Sequence, residues 1–323
     1  MNNLAVVFGT GPLGRATMNE LVKRGEHVRM INRSGTLEQA PKNVEIVAAD
    51  ASNLESAIQA SRDASVIFNC VGTAYTGQAW ETQMPVLWSN ILQAATSSKA
   101  KLVIGDNLYV YDQAGTGIHE NLPHSSTTRK GRARIRVVES MLEAHRSGRA
   151  QVTFARGSDF FGPYAGDQSQ LGSRVFPALL AGKAVQLVGN PDMPHTLTFI
   201  EDFGRAMVMI ADHDQAFGRA WHVPNAPTQS RREVLEVAAK MVNQPLRIQS
   251  MNALMLRGLG LFVPILREVN EMMYQFDKPY IVDSSQFVAQ FSDIHTPLEV
   301  ALEQTIAWFA DRQRNPQANL QPV

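Results

Sequence analysis

Gly9-Thr10-Gly11-Pro12-Leu13-Gly14 directly follows a short apolar run, residues 4–8, and opens an amphipathic stretch, residues 13–24. Glycines at the first, third and sixth positions, between a predicted strand and a predicted helix, are typical of a turn that binds a dinucleotide. They permit a tight turn, close approach of backbone N–H groups to a pyrophosphate, and close packing of the helix on the strand. The alternative is an ordinary glycine-rich turn. Because strand, turn and helix occur in this order, we predict that all six residues contact a dinucleotide.

The same alternation continues to about residue 160. The predicted strands are residues 4–8, 27–32, 44–48, 66–70, 101–104 and 152–156, and the predicted helices are residues 13–24, 54–60, 84–97 and 132–147. Strands alternating with helices predict an α/β fold, in which a doubly wound parallel sheet of the Rossmann type has helices on both faces. After Arg156 the pattern changes to Gly- and Pro-rich loops and helices, which predicts a smaller C-terminal substrate-binding lobe.

These patterns predict the domain organisation. We expect residues 1–163 to form the dinucleotide-binding domain, with residues 199–224 returning to it. Residues 164–198 and 225–314 would form the substrate lobe and a terminal helix, and residues 315–323 a frayed tail. Thr296 is the expected N-cap of the terminal helix, with Pro297 at its first position.

Composition excludes several classes of function. The 323 residues include 30 basic and 30 acidic side chains, so no nucleic-acid partner is indicated. No apolar run is long enough to cross a bilayer, so we expect no membrane partner. The single cysteine, Cys70, allows no internal disulfide and indicates a reducing, cytoplasmic compartment. We also expect no metal.

The residues after the second strand indicate which cofactor is bound. An enzyme that uses NAD places an Asp or Glu there, whereas this chain has Asn32-Arg33-Ser34. A carboxylate would repel a 2′-phosphate, but Arg33 and Ser34 could donate hydrogen bonds to it. We therefore predict NADP(H), with NAD(H) less favoured. Asp50, after the third strand, is either an acceptor for the adenine amino group or a helix N-cap.

Further segments resemble motifs of a known superfamily. They are Asn69-Cys70-Val71-Gly72, Arg156-Gly157-Ser158-Asp159-Phe160-Phe161-Gly162-Pro163, Phe199-Ile200-Glu201-Asp202, Trp221-His222-Val223 and Thr296-Pro297-Leu298-Glu299. In order and spacing the chain resembles the extended short-chain dehydrogenase/reductase superfamily, also known as the NAD-dependent epimerase/dehydratase family. The resemblance implies a Rossmann fold and places Cys70, Val71 and Gly72 beside the cofactor.

The catalytic positions depart from that superfamily's pattern, as they do in its members that are called atypical. The superfamily uses a Ser or Thr after strand five and a Tyr-x-x-x-Lys pair on the next helix. The corresponding positions here are Asn107, Lys130 and Arg134, so the usual phenol is missing. Lys130, which would also face the nicotinamide ribose, is one candidate proton carrier, because a nearby cation such as Arg134 disfavours its protonated form. Tyr109 and Tyr111, after strand five, are the others. The alternative is that the whole basic stretch is a solvated helix face, formed by Arg129, Lys130, Arg132, Arg134 and Arg136.

The substrate positions also differ. Nucleotide-sugar members carry an Arg, which binds the diphosphate, where this chain has His195. A histidine is a poorer diphosphate ligand at neutral pH, although His195 could be an ordinary loop residue. Glu271 and Tyr274 are candidate substrate contacts in a segment whose apolar spacing is equally typical of core. The two helices at residues 84–97 and 132–147 correspond to those through which extended members form homodimers.

Three functions remain open at this point. The first is an NADP(H)-dependent oxidoreductase that acts on a carbonyl or alcohol of a small molecule without the usual Tyr-x-x-x-Lys pair. The second is a non-catalytic NADP(H)-binding sensor or regulator. The third is a sugar-type epimerase or dehydratase, which Asn107, Lys130 and His195 disfavour.

Overall fold

The computed structural model describes residues 4–111, 117–260 and 262–315, so nearly all of the expected frayed tail lies outside the described residues. In chain order the strands are β1 Leu4–Phe8, β2 His27–Asn32, β3 Val44–Ala48, β4 Ala64–Asn69, β5 Lys101–Asp106, β6 Val152–Arg156, β7 Asp159–Phe161, β8 Val185–Val188, β9 Pro194–His195, β10 Leu197–Phe199, β11 Ala220–His222, β12 Gln229–Ser230 and β13 Ile248–Met251. The helices are α1 Pro12–Lys23, α2 Leu54–Ala60, α3 Gly77–Ser98, α4 Arg129–Arg146, α5 Phe176–Leu180, α6 Ile200–Ala211, α7 Arg231–Met241, α8 Ala253–Leu259, α9 Pro264–Asn270, α10 Tyr274–Asp277, α11 Ser285–Gln290 and α12 Leu298–Arg314. A 3₁₀ turn spans Asp214–Ala216.

The described residues fall into two compact units. The first takes in the described residues of Met1–Val110, Pro123–Gly157 and Phe203–Val223, and the second takes in those of Tyr111–Leu122, Ser158–Asp202 and Pro224–Val323. Several described residues that we expected in the dinucleotide domain thus group with the second unit: Tyr111, residues 117–122, 158–163 and 199–202, and Pro224.

The first unit contains a seven-stranded sheet in the order β3-β2-β1-β4-β5-β6-β11, and all its strands are parallel. The predicted α/β Rossmann-type fold is therefore confirmed. Val6, Val7 and Phe8 of β1 are almost fully buried, as expected for a central parallel strand that is covered on both faces. Phe8 pairs with Asn69, and Asn69 pairs with Ile104. The turns after β1, β4 and β5 therefore leave the sheet at the same edge.

Two helices begin earlier than the sequence indicated. α3 begins at Gly77 rather than residue 84, and Thr76 caps it by accepting a hydrogen bond from Ala79 N. The reason for the error is Pro85, which favours the first turn of a helix but here lies inside one. α4 begins at Arg129 rather than residue 132 and is capped by Thr128.

The second unit has its own core and three short strand pairs. β7 pairs with β10 and β8 with β13 in parallel, while β9 pairs with β12 in an antiparallel arrangement. Phe176, Leu187, Leu235 and Phe309 belong to its core. The prediction that Thr296 caps the terminal helix was wrong, because α12 has Pro297 as its N-cap. Thr296 instead donates its hydroxyl and backbone N–H to the two carboxylate oxygens of Asp202, each at 2.7 Å.

Candidate active site

The glycine turn after β1 has the shape that a phosphate cradle requires. Gly9 has a φ of 99°, and a Cβ added there would lie 2.8 Å from the carbonyl oxygen of Cys70. A Cβ at Gly14 would lie 2.0 Å from the carbonyl oxygen of Gly9, so only glycine fits either position. Gly11 is the N-cap of α1 and Pro12 its first residue, and no side chain caps the helix. The first turn can therefore offer its N–H groups to an anion.

The turn after β4 borders this cradle. Asn69 is buried and accepts a hydrogen bond from Val71 N, while its Nδ2 atom has no partner among the described residues. A Cβ added at Gly72 would meet no atom within 4 Å, so the chain opens onto free space there. Burial raises the pKa of the Cys70 thiol to about 12, although the residue as a whole is only partly buried. Cys70 therefore serves packing rather than nucleophilic chemistry.

The loop after β2 is closed by its own side chains. Asn32 Oδ1 accepts hydrogen bonds from Gly35 N at 2.7 Å and Ser34 Oγ at 3.2 Å, and its Nδ2 donates to Thr36 O and Thr10 Oγ1. This network leaves Arg33 exposed at the tip. Asn32 therefore shapes the loop, and Arg33 is placed to meet a ligand.

Arg15 is a cation beside this loop that the sequence analysis did not single out. Its Nε donates to Thr10 O at 3.2 Å and its Nη1 donates to Glu38 O at 3.1 Å. It thereby ties the glycine turn to the segment after β2. The signal available in the sequence was its position, immediately after Gly14.

Asp50 lies on the turn that follows β3 and is exposed. Its Oδ1 accepts a hydrogen bond from Ser52 N at 2.8 Å. That bond, the Ser52 side chain and the charge of Arg33 hold the pKa of Asp50 below its usual range. Asn53, not Asp50, is the N-cap of α2, so one of the two roles expected for Asp50 is ruled out.

Lys130 and Arg134 point inward from α4, whereas Arg129, Arg132 and Arg136 are exposed. This division follows from the helical repeat, because residues four apart share a face. Lys130 is fully buried, with its Nζ 5.0 Å from the centre of the Tyr75 ring. The alternative of a solvated helix face therefore holds for the three exposed arginines and not for Lys130 or Arg134.

Tyr109 lies next to this lysine site. Its Oη is 3.1 Å from Tyr75 Oη, and its ring stacks on Trp80 with centroids 5.4 Å apart. A Cβ at Gly131 would lie 2.6 Å from Tyr109 O, so this glycine lets the first turn of α4 approach the Tyr109 loop closely. Tyr75 lies just before α3 and Trp80 lies in its first turn. Neither was predicted as a site residue. We call Tyr75, Trp80, Tyr109 and Lys130 the phenol cluster.

The two remaining strand-five candidates have other surroundings. Asn107 Oδ1 accepts a hydrogen bond from Tyr109 N at 3.1 Å, so its side chain shapes the turn that carries Tyr109. Tyr111 is buried, with 1% of its surface exposed, and groups with the second unit.

A buried ionic network lies beneath the phenol cluster. Asp106, at the end of β5, is 2.8 Å from Arg156 Nε and 3.2 Å from Arg134 Nε. Burial lowers the pKa of Arg134, and the nearby Asp106 opposes this change. The Arg134 guanidinium lies 4.8 Å from the centre of the Trp80 ring and 5.0 Å from that of Trp88. Arg134 is therefore held by a carboxylate and two aromatic faces.

The network continues toward the surface through a histidine. Arg156 Nη2 is 3.2 Å from His124 Nε2, and His124 Nδ1 is 2.7 Å from Glu139 Oε1. Burial and the positive charge of Arg156 lower the pKa of His124, although Glu139 opposes the change. At neutral pH, His124 is therefore mainly uncharged.

His195, in the second unit, is a buried histidine with both ring nitrogens occupied. Its Nε2 is 2.8 Å from Asp159 Oδ2 and its Nδ1 is 3.0 Å from Gln275 O. Its ring stacks between Phe276 and Tyr280. Neither ring nitrogen is left to bind a diphosphate in this arrangement.

The other substrate candidates lie in the same unit. Glu271 and Tyr274 are half-buried, and Tyr274 Oη accepts a hydrogen bond from Gln275 Nε2 at 3.2 Å. Met273, which lies between them in the sequence, and Phe276, which follows Tyr274, belong to a small apolar core. The segment therefore contributes core residues, and its two polar side chains stand at the border of that core.

No cluster of three or more His, Cys, Asp or Glu side chains within the described ranges could hold a metal ion. None of the described helices is long and apolar enough to cross a membrane.

Comparison with known proteins identifies the family. The chain is 27% identical over 270 residues to a dTDP-6-deoxy-L-talose 4-dehydrogenase (NAD(P)(+)) from Kitasatospora kifunensis, which covers 77% of this chain and 82% of that protein. The fold of the present chain is similar to that of a UDP-glucuronic acid 4-epimerase from Bacillus cereus, which was solved with NAD. The TM-score is 0.77 at 15% identity, and the match covers 96% of this chain and 98% of that one. For a UDP-glucose 4-epimerase from Thermus thermophilus, also with NAD, the TM-score is 0.75 at 15% identity, with coverage of 95% and 99%.

The family model is the decisive match. The sequence model of the NAD dependent epimerase/dehydratase family aligns with residues 5–223, a span that includes the glycine turn and the phenol cluster. The resemblance inferred from the motifs is thereby confirmed, and the chain belongs to the NAD dependent epimerase/dehydratase family.

Proposed function

We propose that the protein is an NADP(H)-dependent oxidoreductase that interconverts a carbonyl and an alcohol on a small molecule, with Tyr109 and Lys130 replacing the usual Tyr-x-x-x-Lys pair. The observation that carries the proposal is that the Tyr109 phenol and the buried Lys130 lie on either side of one residue, Tyr75, in the same unit as the glycine turn. Tyr109 and Lys130 both contact Tyr75, and the turns after β1, β4 and β5 leave one edge of the sheet.

The residues present fit a dinucleotide. The glycine positions Gly9 and Gly14 admit no side chain, and the uncapped start of α1 offers N–H donors for the pyrophosphate. Gly72 leaves room beside the cradle. When bound, a nicotinamide dinucleotide would supply or accept the hydride, and the protein's part would be to exchange the proton on the substrate oxygen.

The preference for NADP(H) rests on the loop after β2. Arg33 is exposed at its tip, and no carboxylate stands at residues 32–34, where one would repel a 2′-phosphate. The Kitasatospora relative is named for both NAD and NADP, whereas the two solved structures contain NAD. These names therefore support a nicotinamide dinucleotide as the cofactor, but they do not favour NADP over NAD.

Calorimetric titration of the purified protein tests this preference. We expect NADPH to bind more tightly than NADH, and Arg33→Asp to reduce NADPH affinity about 30-fold, since a lost charge-assisted phosphate contact costs about 2 kcal/mol. Arg62→Asp makes the same charge change on another exposed arginine and should leave both affinities unchanged. Equal affinities for the two cofactors in the wild type would refute the preference.

The proposed substrate is a small molecule without a nucleoside diphosphate. His195 occupies the position at which a diphosphate ligand was expected, and both its ring nitrogens face oxygen acceptors. A sugar-type epimerase or dehydratase is the second candidate, because the relatives are named for sugar nucleotides. A panel of free carbonyl compounds and nucleotide sugars distinguishes the two candidate functions. If only nucleotide sugars lead to cofactor oxidation, the sugar-type epimerase or dehydratase is favoured.

The assignment of the proton carrier is tested with a substrate from that panel. Tyr109→Phe and Lys130→Met should each lower turnover at saturating NADPH, by about 10²–10⁴-fold for the phenol, which is the range for general acid–base catalysis. Tyr164→Phe removes a hydroxyl from the second unit and should leave turnover unchanged. Wild-type turnover in both active-site variants would refute the assignment. Tight NADPH binding with no turnover of any compound would instead favour a cofactor sensor.

A further inference from the structure

We propose that Tyr75 is the second phenol of a proton relay, in which Tyr109 exchanges a proton with the substrate oxygen and Tyr75 exchanges a proton with Tyr109. This inference rests on the proposed function and deepens it. Because Tyr75 acts through Tyr109, it is a positioning residue rather than one that touches the substrate.

The geometry of the phenol cluster carries the proposal. The two hydroxyl oxygens are 3.1 Å apart, which is hydrogen-bond distance. A hydrogen bond between two phenols uses only one of their two hydrogens, so the second hydrogen can be donated elsewhere. The pair can therefore transfer one proton outward while passing another inward.

Trp80 fixes the relative position of the two rings. It stacks on Tyr109 with an interplanar angle of 19° and meets Tyr75 edge-on at 90°, with centroids 5.4 Å and 6.1 Å apart. The indole is itself buried in α3. Both phenols are thus held against one rigid side chain, and their contact does not depend on a mobile rotamer.

Lys130 determines which phenol bears the negative charge. Its Nζ lies 5.0 Å from the centre of the Tyr75 ring, and the residue is fully buried. A cation close to a phenol in a buried site stabilises the tyrosinate form. Arg134, one turn further along α4, interacts electrostatically with Tyr109, but its charge is already paired with Asp106. The charge that forms when the relay gives up a proton is therefore best placed on Tyr75.

The step balances in the direction of reduction. The reduced nicotinamide dinucleotide, when bound, would supply a hydride with its two electrons: its own C–H bond would break, it would be oxidised, and the new C–H bond would form at the carbonyl carbon. The carbonyl π pair would then move to oxygen. The Tyr109 O–H bond breaks and its proton goes to that oxygen, while the Tyr75 proton moves to Tyr109. Tyr75 is left as a tyrosinate beside Lys130, and water returns the proton. Oxidation of the alcohol runs these transfers in reverse.

The relay is tested first without cofactor or substrate, by following tyrosinate absorbance against pH. The protein has six tyrosines, so difference curves between variants isolate the pair. We expect one phenol of the wild type to ionise at lower pH than in Tyr75→Phe, by about one pH unit, because interacting sites titrate in separate steps. Lys130→Met should move that early step to higher pH. Tyr164→Phe should leave it in place.

Kinetics with an accepted substrate give the second readout. Tyr75→Phe should lower kcat about tenfold and shift the pH profile of kcat to higher pH, with KM unchanged. In mixtures of H₂O and D₂O, wild-type rates should indicate two protons in motion, and Tyr75→Phe rates only one. A merely structural role for Tyr75 would not move the pH profile or the number of protons.

The outcomes separate the two proposals. If the early ionisation is the same in wild type and Tyr75→Phe, the relay is refuted, while Tyr109 and Lys130 can still act as proposed. If the phenols are coupled but Tyr109→Phe turns over like the wild type, the proposed function fails and the relay fails with it. A coupled titration together with the loss of one moving proton in Tyr75→Phe supports both.

Discussion

Replacing Asp106 by asparagine should destabilise the protein strongly, because this carboxylate is paired with two buried guanidinium groups in the network described above. Its side chain has no exposed surface, and its oxygens lie 2.8 Å from Arg156 Nε and 3.2 Å from Arg134 Nε. Asp106→Asn keeps the size of the side chain and removes its charge. Two buried cations would then remain close together without the negative charge that both now face.

The magnitude can be worked from these distances. At an effective dielectric constant of about 20, an ion pair at this separation is worth roughly 5–6 kcal/mol before the cost of desolvation. Removing one partner of a buried pair typically costs about 3–5 kcal/mol. We expect a loss of that size in the free energy of unfolding and, for a domain of this size, a fall in Tm of about 10 °C.

Urea and thermal unfolding followed by circular dichroism provide the assay, with Asp214→Asn as the matched control. Asp214 pairs with Lys101 at the same distance, 2.8 Å, but is 80% exposed, so its loss should leave Tm unchanged. Adding Arg134→Met to Asp106→Asn should restore part of the stability, because the repulsion between the two buried cations is then gone. The reasoning is refuted if Asp106→Asn unfolds like the control, or if the double variant is less stable than Asp106→Asn.

The remaining predictions concern pH, thiol reactivity and assembly. His124 has a lowered pKa in the folded state, so as the pH falls the unfolded chain takes up the proton first. The free energy of unfolding should therefore fall as the pH drops below about 6.5. Urea midpoints measured at several pH values should show this dependence, and His124→Gln should weaken it. Because the pKa of Cys70 is raised to about 12, folded protein at pH 8 should react with a thiol reagent roughly a thousandfold more slowly than urea-unfolded protein. Comparable rates would contradict the burial of the thiol. We expect a homodimer that uses α3 and α4, so Val86→Arg, at an exposed position of α3, should shift sedimentation from dimer to monomer; a monomeric wild type would exclude the dimer.

The sequence predicted the dinucleotide half of the molecule because each step there depends on local pattern. β1, β2, β3 and β6 have the bounds that apolar periodicity indicated, and the sheet order is the doubly wound one. The glycine turn could be recognised because Gly9 and Gly14 satisfy steric requirements that no other residue meets. Helical spacing also predicted that Lys130 and Arg134 share a face, although it could not say that this face is buried.

Tyr75 could not be found in the same way, because its partners are distant in sequence. It lies in the irregular segment between β4 and α3, where no periodicity assigns a face to a side chain. Its hydrogen-bond partner, Tyr109, is 34 positions away, and the two meet only because β4 and β5 are adjacent strands whose turns leave the same edge. Pro85 further concealed the first turns of α3, and with them Trp80, which aligns both phenols. The superfamily's usual catalytic tyrosine is a helix residue with a readable spacing. The replacement that we propose comes from two loops, so it becomes visible only once the strand order is known.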